Sequence, residues 1–116
     1  MKIKYKGVDY CAGNPYPEFG WPSPTREQMD EELSTIRNGL GCNAIILTAG
    51  ADSEDDLIES GKMALQKGFD RIYINPRYVH HSMDETVERV ARFAPRVKAL
   101  RETSEAIHSW SDMSSA

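Results

Sequence analysis

Residues 41 to 52, Gly-Cys-Asn-Ala-Ile-Ile-Leu-Thr-Ala-Gly-Ala-Asp, constrain this chain more than any other stretch. Ala44, Ile45, Ile46 and Leu47, with Ala49 beyond Thr48, form an apolar run bounded by Gly41 and Gly50. Such a run is too short for a buried helix and reads as a strand covered on both faces. A strand of that kind needs parallel neighbours, and parallel neighbours need helical crossovers. The fold class that follows is α/β, built from consecutive βα units.

The flanking sequence supplies those units. Tyr5 to Tyr10 reads as a first strand, in which Gly7 signals a bulge or a close backbone contact. Residues 12 to 24 form a loop rich in proline (Pro15, Pro17, Pro22, Pro24) and aromatic residues (Tyr16, Phe19, Trp21). A long loop of that aromatic content is neither inert nor disordered in composition. A first helix begins at Pro24 with Ser23 as cap, or at Thr25 with Gln28 completing a capping box. Met29, Leu33, Ile36 and Leu40 give it one apolar face, and Gly39 and Gly41 end it. After the central strand, Ser53 to Asp56 open a second helix with acids at its positive end. Its inner stripe is Leu57, Ile58, Gly61, Ala64 and Leu65, and Gly68 stops it. Phe69 to Asn75 is a third strand, terminated by Pro76. Ser82 and Glu85 cap a third helix with Val87, Val90, Ala91, Ala94 and Val97 on its buried face. Pro95 is expected to kink or divide that helix, with helical character resuming to about Trp110. The expected architecture is three consecutive βα units on a parallel sheet, one domain over residues 1–110, with a flexible tail at 111–116.

A chain of 116 residues accommodates one core. The formal net charge of −4 argues against nucleic acid and anionic membrane as partners. No apolar run approaches the roughly 18 residues of a spanning helix, and residues 1 to 6 carry charges without the apolar segment of a signal peptide. The compartment expected is the cytoplasm. The two cysteines, Cys11 and Cys42, fall at opposite ends of adjacent parallel strands, too far apart for a disulfide, and are expected as free thiols. No Gly-rich dinucleotide loop, P-loop or nucleophile elbow follows any strand, so no cofactor is implied.

Four short blocks carry a family resemblance. They are Lys6-Gly7-Val8-Asp9-Tyr10; residues 36 to 44, Ile-Arg-Asn-Gly-Leu-Gly-Cys-Asn-Ala; Ala64-Leu65-Gln66-Lys67-Gly68; and Asn75-Pro76-Arg77. In their order and spacing, over about residues 6 to 101, the chain resembles the N-terminal part of a glycoside-hydrolase-like TIM-barrel family, often labelled abortive infection proteins. The resemblance implies a partial TIM barrel. Ile46 and Leu47 depart from it, since such barrels tend to carry a basic residue and then an aromatic there. A whole barrel takes about 250 residues, and the two catalytic carboxylates of such glycosidases lie on later strands without counterparts here.

In parallel α/β sheets, sites gather at the carboxyl ends of the strands. On that rim the residues suited to a polar ring such as a sugar are Tyr10, Asn14, Trp21, Thr48, Asn75, Arg77 and Tyr78. Asp9 and Asp52 are the acids that neighbouring strand ends could hold at the 5 to 10 Å separation of a glycosidase pair. The competing reading makes them supports, Asp52 for the second helix's N-terminus and Asp9 for Arg77. His80 and His81 are adjacent, point opposite ways in an extended segment and find no spaced third ligand, so no metal is expected. The function expected is a non-catalytic partial-barrel module, because the later catalytic strands of such barrels are absent, and its open edges and open inner face invite a second copy or a complementing chain. The alternative is a glycoside-hydrolase-like, carbohydrate-active or carbohydrate-binding protein.

Overall fold

The computed structural model describes residues 5–13, 24–50, 53–77 and 82–109. Four parallel strands, β1 (Gly7–Cys11), β2 (Ala44–Gly50), β3 (Arg71–Arg77) and β4 (Ile107–Ser109), lie side by side in chain order. Three helices connect them: α1 (Arg26–Ser34), α2 (Glu54–Lys67) and α3 (Met83–Arg101). The α/β class and the parallel sheet are as expected. The sheet has one more strand than the sequence reading contained. β4 occupies residues read there as helix. Helix α3 ends at Arg101, and Ile72 N–H then donates to the Ala106 carbonyl at 2.8 Å as the chain joins the sheet.

The register is regular. Val8, Tyr10, Ile45, Leu47, Ile72, Ile74 and Ile107 share one face. All of these belong to the core or pack against it, with Met29 and Leu33 of α1, Leu57, Ile58 and Ala64 of α2, and Phe93, Val97 and Leu100 of α3. The helices therefore lie on one face of the sheet. Gly7 makes a close contact and not a bulge: a Cβ there would stand 2.9 Å from the Ala44 carbonyl oxygen. Gly61 does the same for α2, where a Cβ would stand 2.9 Å from Leu100 and 3.1 Å from Ile74. Small residues here let α2 settle onto β3 while α3 packs beside it.

Helix α1 is capped by Thr25, with the reciprocal Gln28 bond to its backbone N–H, so the box prevails over Ser23–Pro24. A π-helical turn, Thr35–Gly39, follows, closed by Leu40 N–H to the Thr35 carbonyl at 3.0 Å. A π turn takes more residues per turn than an α-helix, which rotates Leu40 off the buried face and leaves it 52% exposed. Gly41 reverses the chain at φ +70° and Gly68 closes α2 at φ +87°, a left-handed conformation suited to glycine. Pro76 does not terminate β3; the strand continues to Arg77 with Pro76 opposite Ala49. Helix α3 is not divided at Pro95. Its buried stripe is Phe93, Val97 and Leu100, while Val87, Ala91 and Ala94, expected inside, are exposed.

Candidate functional site

The other face of the sheet holds the candidate site. Alternation along four registered strands sets its rows: Gly7, Ala44 and Arg71; then Asp9, Ile46, Tyr73 and His108; then Cys11, Thr48 and Asn75. None of these residues belongs to the core cluster.

Three residues expected at the rim from the sequence meet here. The Thr48 hydroxyl donates to Asp9 Oδ1 at 2.8 Å, and Asn75 Nδ2 donates to Thr48 Oγ1 at 3.5 Å. The chain of polar groups crosses β1, β2 and β3 near their carboxyl ends. Thr48 is buried, Asn75 half-buried and Asp9 exposed. Asp9 accepts a bond that holds its carboxylate toward β2. Arg77 pairs with Gly50 in the sheet register, and the expected Asp9–Arg77 support lies outside the described side chains. Asp52, Asn14, Trp21 and Tyr78, like His80 and His81, lie outside the described residues, as does the 111–116 tail.

Tyr10 stands apart from this group. It alternates with Asp9, so its ring enters the helix-side core at 8% exposure, and its hydroxyl donates to Glu32 Oε1 at 3.3 Å. Burial first, and then the Glu32 carboxylate, push its pKa upward. A hollow of about 280 Å³ beside it is lined by Tyr10, Glu31, Glu32, Thr35 and Ile36, at the start of the π turn.

Aromatic and cationic groups on the open face went unnoticed in the sequence. Tyr73 and His108 stack with ring centroids 5.2 Å apart. Arg71 Nη1 donates to the Tyr73 hydroxyl at 3.0 Å, and the guanidinium sits 4.5 Å from the Tyr5 ring centre. Asp9, Ile46 and Tyr73 border a hollow of about 270 Å³ floored by Gly7 and Ala44. The alternation Arg71, Tyr73, Asn75 is the signal that places these side chains on one face; His108 needed β4 to be recognised. Among the described residues no group of three or more His, Cys, Asp and Glu could hold a metal ion. Both cysteines are free, Cys11 exposed and Cys42 buried. No described helix is long and apolar enough to cross a membrane.

Chemically, the described face offers one carboxylate, already accepting a hydrogen bond, beside neutral donors, the Arg71 guanidinium and two stacked rings. That set suits contact with a polar or aromatic surface. It contains no second carboxyl for acid–base cleavage. No family model and no curated protein matches the sequence.

Proposed function

We propose that this chain is a non-catalytic assembly module, equivalent to part of a TIM barrel, whose sheet is completed by a second copy or a complementing chain. One observation carries the reading: the core residues of all four strands come from a single face. The opposite face keeps Ile46, Tyr73 and His108 half-buried. In a complete barrel the corresponding face is filled by side chains from every strand. Covering such a surface stabilises by roughly 25 cal/mol per Å² of apolar area before ordering costs.

A second reading keeps the glycoside-hydrolase-like resemblance and makes the protein carbohydrate-binding. The hollow between Asp9 and Tyr73 supports it, since sugars bind to aromatic faces flanked by carboxylates and amides. Ile46→Lys separates the two from the outset. It sets a charge on the open face at a residue outside the core cluster. For the module, light scattering of the wild type gives an assembly heavier than the 13.1 kDa chain, and the variant is smaller with unchanged helicity by circular dichroism. A wild-type species of 13.1 kDa at all concentrations, with glycan binding abolished by Asp9→Asn, would establish the second reading instead.

A further inference from the structure

We infer that helix α3 is itself an interface, and that it pairs antiparallel with α3 of a second copy about a two-fold axis at Ala91. This goes beyond completion of the sheet, because α3 lies on the opposite side of the sheet from the open face. Of the described large apolar side chains, the two most exposed are both on this helix, Met83 at 78% and Val87 at 61%. Scattered apolar residues on a surface need no explanation, but a stripe does. Asp84, Val87, Ala91, Ala94, Lys98 and Arg101 recur at alternating spacings of three and four, the seam of paired helices. All six are exposed. The seam lies beside, and apart from, the buried stripe of Phe93, Val97 and Leu100.

Its charges identify the occupant. The acid Asp84 is at the amino end and the bases Lys98 and Arg101 at the carboxyl end, with only apolar residues between. Asp84 and Lys98 are each seven residues from Ala91, two turns and about 10 Å along the axis. A two-fold at Ala91 therefore sets Asp84 of one copy against Lys98 of the other, and does so twice. A parallel pairing would oppose acid to acid and base to base. Alanines at positions 91 and 94 let the two helix axes approach closely where they cross. The seam is self-complementary, so the partner it fits is this same helix inverted.

The test uses the Ile46→Lys protein, in which association through the open sheet face is removed, so that loss of the sheet contact and loss of this one are told apart. Sedimentation equilibrium of that protein is expected to show a dimer of the 13.1 kDa chain. Asp84→Lys alone and Lys98→Glu alone place like charges across the axis and weaken the dimer about tenfold or more. The double variant restores opposite charges in exchanged positions and returns the dimer to within about threefold of its starting strength. A monomer up to the solubility limit in the Ile46→Lys protein overturns the inference. So does a double variant no tighter than the single ones, given equal helicity by circular dichroism.

Discussion

Tyr10 shows how one residue's placement sets a measurable pH dependence. Its strand position turns it away from Asp9 and into the core, where burial and the neighbouring Glu32 carboxylate favour the protonated phenol. The folded state therefore holds this proton more tightly than the unfolded chain, whose tyrosines titrate near 10.0. The contribution is complete below that pH and is lost as pH rises above it, toward the higher folded value. Tyr10→Phe removes the titration. The expected result is a shallower fall of stability above pH 10, by up to about 1.4 kcal/mol per pH unit, in urea titrations across the alkaline range. At neutral pH the same variant loses about 1 kcal/mol or less, the net worth of the bond to Glu32. Identical alkaline slopes for the two proteins would place the hydroxyl in water and contradict its burial.

At the scale of elements, the sequence made the α/β class legible because β2 is a nearly pure apolar run between glycines and α2 is closed by Gly68. Boundaries were less legible, and for particular reasons. β4 has a single fully buried apolar residue, Ile107, and no alternation long enough to announce a strand. Leu40 kept helical spacing but fell after a π turn, which periodicity cannot reveal. Helix α3 carries two apolar stripes side by side, and the inner face expected from the sequence mixes them: Val97 is buried and Val90 half-buried, whereas Val87, Ala91 and Ala94 are exposed. Of the candidate site, Asp9, Thr48 and Asn75 were legible from strand ends, whereas Tyr73 and His108 depended on the face and on β4. Pro95 bears on the same helix. It is exposed in an unbroken α3 and supplies no N–H to the carbonyl of Ala91 one turn back. That placement explains why proline does not end the helix, but it does not remove the cost. Pro95→Ala restores a donor and a favourable helix residue, worth up to about 3 kcal/mol, against an unfolded chain that regains freedom worth about 1. A net gain of about 1 to 2 kcal/mol in the urea midpoint analysis is expected. A loss would show that the proline's geometry is needed for packing of Phe93 or Val97 on α2.

At the scale of the whole molecule, protection should be graded outward from α2. This helix packs on β2 and β3 and touches both other helices, so it and the two central strands form the part that opens only with global unfolding. β1 and β4 are different. Each has a partner on one side only among the described residues, and β4 is three residues long. Edge strands present unpaired backbone groups, and these open locally or recruit another chain. Amide exchange of the Ile46→Lys protein is accordingly expected to be slowest at Ile45, Leu47, Ile72 and Ile74, with β1 and β4 amides faster by about tenfold or more. In the wild-type assembly, completion of the sheet adds partners to those edges; the central amides slow through the stabilisation that association brings, the edge amides slow by more, and the contrast should narrow at β1 and β4. The α3 contact makes a separate demand: its exposed seam supplies no backbone partner to an edge strand, so pairing there does not narrow the contrast between edge and centre at β1. Protection that rises with protein concentration at both β1 and β4, and by more than at the central strands, therefore reports closure of the sheet. Edge amides that stay fast in the full assembly would mean that the strands are never paired by a second chain, and that this protein keeps its open face for a ligand.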